Sequence, residues 1–420
     1  MAILLKYKNK SPLPLFDTLK VMLEEKHQKN PSVVTRIESD APANALADYN
    51  IACEFLCSYR GSADTFASYR REVERLLQWA WFVAGISLKD IRRAEIDDFL
   101  AFCQHPPKEW IGLKTVSRFV DQHGTRVINR DWRPFVSKVG KVEYSAEQTP
   151  DISNWALSQK SFQAIFSILS SFFNFLIQEE HSDVNPIALI RQKSKFIRKK
   201  QSEKIRRLSD LQWEYVIETA EMMANQDALI HERTLFVMNA LYGMYLRISE
   251  LTQSERWYPK MGDFQLDMDG NWWFITVGKG NKERSVSVSD EMLVALKRYR
   301  TYRNLSVLPY PGEQTPLIPK TRGSGGISST RQIRNIVQTC FDAAVKRMID
   351  DGFTEDSERL KTATVHWLRH TGISDDVKRR PREHVRDDAG HGSSAITDKY
   401  IDVELRERHA SARKKSIKPS

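Results

Sequence analysis

One stretch decides how many bodies this chain can form. Residues 190–210 read "IRQKSKFIRKKQSEKIRRLSD", with Glu203 the only acid before Asp210. A run of like charges repels itself and cannot be packed into an interior. It therefore belongs to no core and separates two. It lies near the middle of 420 residues, so each side is long enough for a core of its own. Either the run is a solvated tether or it is a strap across a phosphate backbone. The whole-chain balance favours the strap: 64 Lys+Arg against 54 Asp+Glu leave +10. Such a charge speaks of partners rather than fold, with nucleic acid first and an anionic membrane surface second. Lys199, Lys200, Arg206 and Arg207 are the DNA-contact candidates in this stretch.

No apolar run approaches the ~20 residues of a membrane span. The opening "MAILLKYKNK" carries an apolar run too short for a signal peptide. An intracellular, cytoplasmic protein near the nucleoid is expected, with no membrane partner. Cys53, Cys57, Cys103 and Cys340 are scattered. Cys53 and Cys57 stand one helical turn apart with no second pair nearby, a pattern of core packing rather than of a metal site. No disulfide framework is implied.

The fold expected is mostly α. Residues 1–45 show weak periodicity broken by Pro12, Pro14, Pro31 and Pro42, and read as an N-terminal arm. From 46 to 190 helical spacing dominates. Tyr69, Val73, Leu76, Leu77 and Ala80 form one apolar stripe after "GSADT", whose Ser62 or Asp64 could cap it. "LKDIRRAEIDDFLAFCQ" and "SQKSFQAIFSILSSFFNFLIQ" supply two more helices. Between them, 105–150 breaks pattern and reads as an insertion, with a hairpin among its forms. There Trp110 and Trp132 are mixed with Arg118, Arg126, Arg130, Arg133 and Lys138. Interleaved aromatic and basic residues can clamp DNA, which makes Arg126, Arg130 and Arg133 contact candidates. A surface elaboration packed on its own aromatics is an equal reading.

The linker spans 191–208 and a second domain 209–420. Ser209 and Gln212 fit a capping box. "HERTLFVMNALYGMYLRISEL" reads as a helix pair broken at Gly243. Strand signals follow in "WWFITV" (272–277) and "RSVSVS" (284–289), joined by the turn "GKGNKE". Helices then resume to the end. The domain is thus mixed α/β, mainly helical, with one small antiparallel sheet.

Within it, "VHWLRHTG" (365–372) sets His366, Arg369 and His370 on one helical face. Two histidines four apart suggest zinc, but Trp367 stands where HExxH needs its glutamate, and Arg369 would repel a cation. A guanidinium beside a phosphate is favourable, because its fork of donors matches two anionic oxygens. The face reads as an anion site; a histidine-rich surface turn is the bland alternative.

The motif has company. Arg247 lies in "MYLRISEL" with Glu250 close behind, Lys279 in "VGKGNKER", and His391 and Tyr400 nine residues apart in "GHGSSAITDKY". Across residues 46–420 these boxes, in this order, resemble the tyrosine recombinases, the phage-integrase family. The resemblance implies a helical core-binding domain at 46–190 and a catalytic domain at 209–420, clamping duplex DNA between them. It implies Tyr400 as the nucleophile that takes the 3′-phosphate. Arg247 and Arg369 would stabilise charge on the non-bridging oxygens, His366 would act as acid/base, His391 would hold a phosphate oxygen, and Lys279 would protonate the leaving 5′-oxygen. His370 matches no such position and reads as a supporting or packed residue. Two departures stand out. The chain has "GMYLR" where the family often has Thr-Gly before Leu-Arg, and the separation from Arg247 to Lys279 is long. No Walker motif is present, and neither metal nor nucleotide cofactor is implied. The expected activity is site-specific recombination or integration through a 3′-phosphotyrosyl bond, by a homotetramer on double-stranded DNA. A type IB topoisomerase-like nicking-closing enzyme, a non-catalytic DNA-binding protein and a metal-dependent transposase are the rival readings.

Overall fold

The computed structural model describes residues 11–24, 30–58, 63–145, 147–191, 206–278, 281–400 and 413. The chain divides into two compact units, Met1–Gln201 and Ser202–Ser420, parted within the basic stretch.

The first unit holds helices α1 (Leu19–Glu24), α2 (Pro31–Asp40), α3 (Ala45–Ser58), α4 (Ala63–Trp79) and α5 (Arg93–Gln104). Strands β1 (Ile111–Gly112), β2 (Phe119–Gln122), β3 (Thr125–Ile128) and β4 (Phe135–Val136) follow, then α6 (Lys141–Ser145), α7 (Gln159–Gln178) and α8 (Pro186–Arg191). The stripe expected on α4 is buried at Val73, Leu76 and Leu77. Helix α7 is capped by the Ser158 hydroxyl, which accepts from the Ser161 N–H. By length and composition α7 alone, among the described residues, is apolar enough to cross a bilayer. Its apolar face, including Phe166, Leu169, Phe172 and Phe173, is instead the centre of this core. Cys103 is a buried thiol in the same core, and Cys53 and Cys57 are half-buried on α3.

The reading of 1–45 as an arm needs correction for its described residues. Leu15, Phe16, Val33 and Ile37 lie in the core. The Leu15 N–H donates to Glu74 Oε1 at 2.6 Å, and Tyr49 Oη donates to the Leu15 carbonyl at 3.2 Å. Periodicity misses Leu15 and Phe16 because they lie outside any helix and their partners are remote in sequence, and Val33 and Ile37 because α2 is short and begins at a proline.

The 105–150 segment contains an antiparallel hairpin, β2–β3, turning at His123 (φ +50°) and Gly124 (φ +79°). Two positive φ values match the right-handed twist of the strands it joins. Its aromatics face inward: Trp110, Trp132 and Phe135 are buried, and Phe135 meets Trp155 edge-on at 5.2 Å. They are spent on packing rather than displayed as a stacking platform.

The second unit opens with α9 (Asp210–Gln226), where Ser209 and Gln212 form the reciprocal cap expected. Helix α10 (Ala228–Gly243) leads into a short turn at Ile248–Glu250. Strands β5 (Phe264–Leu266), β6 (Trp272–Val277) and β7 (Glu283–Ser287) form an antiparallel sheet in the order β5-β6-β7. The sequence reading had only the last two, because β5 is three residues long and contributes one buried side chain, Phe264. Then come α11 (Asp290–Tyr302), α12 (Thr330–Asp350), α13 (Thr354–Lys361), α14 (Val365–Asp376), α15 (Arg382–Ala389) and α16 (Ser394–Thr397). Phe236 and Tyr299 stack at 4.3 Å in the core, alongside Phe274, Val337, Phe341 and Leu368. The fold is mostly helical, with its one three-stranded sheet in the second unit.

Candidate active site

The site is assembled on α14, which buries Leu368 and Arg369 while leaving His366 exposed and His370 half-buried. The helix lies so close to α10 that a Cβ on Gly372 would stand 2.2 Å from the Tyr242 carbonyl oxygen. That contact sets the depth of the Arg369 guanidinium. Arg369 donates to the carbonyls of Tyr245 and Ala389.

Ala389 ends α15, and the helix is closed by Gly390 at φ +62°. The Gly390 N–H donates to the Asp387 carbonyl and the His391 N–H to the Arg386 carbonyl, a left-handed cap that turns the chain back. Two consecutive carbonyls at this end serve the two arginines: Arg369 takes Ala389, and Arg247 Nη2 reaches Gly390 at 3.3 Å. Terminal helix carbonyls lack intrahelical partners and carry partial negative charge, so they suit cations. The same turn delivers His391, whose Nδ1 lies 2.9 Å from Thr397 Oγ1.

Tyr400 closes the short turn Asp398–Tyr400 and is buried. Its phenol oxygen is 2.7 Å from His370 Nδ1. The His391 ring lies flat against the phenol ring, with centroids 5.6 Å apart and planes at 17°. Arg247, Arg369, His370, His391 and Tyr400 thus share one locus. His366 lies on the same helix with no hydrogen bond recorded to it among the described residues. Lys279 falls outside the described residues. Its neighbour Gly278 sits at the rim, where an added Cβ would be 3.4 Å from Arg247 Nη1.

Residues 208–407 match the phage integrase family. Tyrosine recombinase XerC of Actinobacillus pleuropneumoniae serotype 7 is 30% identical over 249 residues, 59% of this chain and 70% of that protein. The chain belongs to the tyrosine recombinase family. Tyrosine recombinase XerD of Rickettsia conorii is 25% identical over 212 residues, 47% of this chain and 65% of its own length. The solved structure of a lambda integrase dimer bound to a COC′ core site is 15% identical with a TM-score of 0.48, covering 96% of this chain and 87% of that one.

The recombinase buries one carboxylate among its arginines. Glu250 Oε1 accepts from Arg247 Nη1 at 3.0 Å and from Arg284 Nη1 at 2.5 Å, and Oε2 from Arg284 Nη2 at 2.8 Å. Burial alone would raise this carboxyl, but the hydrogen bonds and charge of Arg284, then of Arg247, hold it below the usual range. Arg284 also donates to the Asp388 carbonyl at 3.0 Å. An outer triad, Arg380 with Asp376 and Asp388, braces α14 against α15. Among the described residues three arginines converge against one acid, so the locus is electropositive. The histidines register this. Burial, then Arg369, then Arg247 push His391 down to about 4. Burial, then Arg369 and His366, push His370 down to about 4. His366 is lowered by burial, then by Arg369, Arg334 and Arg247. All three are neutral at pH 7. Burial raises the Tyr400 phenol, and the fields of Arg369 and Arg247 oppose that rise without cancelling it. The resting phenol therefore keeps its proton.

Sequence reasoning did not give Arg284 a role and left His370 in the background. Arg284 followed the hairpin turn as one of three nearby cations, and nothing local shows which of them folds inward. His370 was visible in the motif, but its partner is 30 residues away.

The proposed DNA-contact arginines differ from one another. Arg126 is bidentate to Asp17, at 2.7 and 2.9 Å, and reaches Asp121 at 3.2 Å. Arg133 donates to the carbonyls of Arg130 and Trp132. Arg130 is exposed. Arg206 is exposed, and Arg207 lies 3.7 Å from Asp375. Lys199 and Lys200 fall outside the described residues.

Proposed function

We propose that this recombinase cuts and rejoins duplex DNA at specific sites through a 3′-phosphotyrosyl bond on Tyr400, with no metal or nucleotide cofactor. The observation that carries the reading is a buried phenol set among arginines and neutral histidines, with Glu250 the one carboxylate bonded to those arginines among the described residues. Such a locus carries excess positive charge, and a phosphodiester offsets part of it. Arg247 and Arg369 face the non-bridging oxygens, where attack builds charge. His391 holds a phosphate oxygen, and the resemblance offers His366 as an acid/base on the helix that carries Arg369. Lys279 protonates the 5′-oxygen as it leaves. The covalent bond keeps the energy of the broken strand, so religation needs no nucleotide. Arg130, Arg133 and Arg206 contribute phosphate contacts; Lys199, Lys200, Arg126 and Arg207 join them where their charge is not already matched by an acid. Assembly as a homotetramer on DNA, and a cytoplasmic location at the nucleoid, follow from the same reading.

The test is capture of the adduct. The full chain is incubated with a random-sequence pool of nicked duplexes and denatured in SDS, and protein-bound strands are recovered and sequenced. Wild type should yield an SDS-resistant adduct enriched in one sequence, and Tyr400→Phe should yield none. An adduct that survives in Tyr400→Phe moves the nucleophile elsewhere. Tight binding without any adduct supports a non-catalytic DNA-binding protein, and adducts without sequence preference support a topoisomerase-like enzyme.

A further inference from the structure

Two histidine rings meet the Tyr400 ring, and one of them has a nitrogen at hydrogen-bond distance from the phenol oxygen. An imidazole accepts a proton in its ring plane, where the lone pair lies. His391 is stacked on Tyr400, at 17° between planes, and no hydrogen bond joins it to the phenol oxygen among the described residues. Its Nδ1 is in any case engaged with Thr397 Oγ1. His366 is exposed at the start of α14, and no hydrogen bond joins it to Tyr400 among the described residues. His370 is tilted 41° to the phenol ring, with Nδ1 2.7 Å from the phenol oxygen.

We propose that His370 is the base that takes the Tyr400 proton during strand cleavage. The inference rests on Tyr400 being the nucleophile. As the bond from Tyr400 Oη to phosphorus forms, the bond from phosphorus to the 5′-oxygen breaks. The phenolic proton passes to His370 Nδ1, and a separate acid, Lys279 in the reading above, protonates the 5′-oxygen. Religation runs the same transfers in reverse. Burial, then Arg369 and His366, keep His370 neutral, which leaves a lone pair on its ring available. An arriving phosphodiester offsets that positive field and makes the imidazole a stronger base at the moment it is needed.

The test separates a base from a strut. Nicked duplexes recovered by adduct capture are cleaved in single turnovers by the full chain. His370→Gln keeps a polar side chain but cannot take the proton, and cleavage should fall by ~10²–10⁴, the scale of general-base catalysis. The comparison is repeated with 3,5-difluorotyrosine at position 400, whose phenol ionises more readily. There His370→Gln should be within about tenfold of the His370 enzyme, because less help is required. His370→Ala, a second variant, should regain cleavage when imidazole is added. Equal losses with both phenols and no imidazole rescue would make His370 a structural contact and overturn the proposal. Rescue of His366→Gln by the fluorinated phenol, with none for His370→Gln, would assign the base to His366. If wild type forms no adduct at Tyr400, the nucleophile reading fails first, and this inference falls with it.

Discussion

The Tyr245 carbonyl accepts a hydrogen bond from the buried Arg369, and Tyr245 holds a backbone angle of φ +48°. That region costs a residue with a Cβ roughly 1–2 kcal/mol. It is the conformation glycine adopts freely, and Tyr245 occupies the place where the family often has glycine before Leu-Arg. The strain is held by the side chain, which is buried and donates its O–H to Asp376 while accepting from Arg380 at 3.0 Å. The departure in "GMYLR" is thereby compensated within the same site.

Removing that hydroxyl should loosen the arginine. Tyr245→Phe should lower stability by about 1 kcal/mol, the net contribution of a hydrogen bond to charged, half-buried partners. Single-turnover cleavage should fall more than DNA affinity does. A variant with unchanged unfolding temperature and rate would show that Asp376 and Arg380 hold α14 and α15 without it.

Gly372 should not tolerate even alanine. The atom it would strike is a backbone carbonyl of α10, which cannot rotate away. Overpacking of this kind costs typically ~1–3 kcal/mol. Because α14 carries Arg369 and His370, a displacement of about 1 Å should also slow cleavage by ~10²-fold in protein that is still folded. Thermal unfolding and single-turnover rates on Gly372→Ala measure both effects; normal values for both would mean that α10 and α14 can part freely.

Glu250→Gln keeps the shape and removes the carboxylate that Arg247 and Arg284 share. Breaking a buried pair in this way costs ~3–5 kcal/mol. Sulfate or phosphate should restore unfolding temperature more in this variant than in wild type, since an inorganic anion can replace the lost charge. An equal response in both would show that the arginines do not depend on Glu250.

Acid should weaken the second unit through its histidines. The folded pKa values of His370 and His391 are depressed to about 4, against 6.5 for an ordinary histidine. Below pH 6.5 the unfolded chain binds protons that the folded site refuses, so stability is full above 6.5 and declines toward 4. The double variant His370→Gln, His391→Gln should lose unfolding temperature less steeply across that window. Parallel pH profiles for variant and wild type would mean that the two imidazoles titrate alike in both states.

The sequence by itself determined the parts that depend on neighbours within a few residues. The basic run at 190–210 marked the boundary between the two units, although Ile190 and Leu208 near its ends are buried in the two cores. Helical spacing marked α4 and α7, and the Ser209–Gln212 cap and the strands around "WWFITV" were readable because caps and strand alternation are local. The residue types of the site were legible for the same reason, as four short boxes. Only the tertiary structure decided what each side chain meets. The extended segment around Leu15 and Phe16 joined the first core through Glu74 and Tyr49, and the tryptophans of 105–150 turned inward. Arg126 was committed to Asp17, Glu250 was placed between two arginines, and His370 rather than His366 was brought against the phenol. Each of these contacts joins residues from separate elements or faces of a fold, and linear spacing carries no record of which way a helix rotates against its neighbours. That rotation is set by close approaches such as Gly372 on Tyr242, which exist only once the chain has packed.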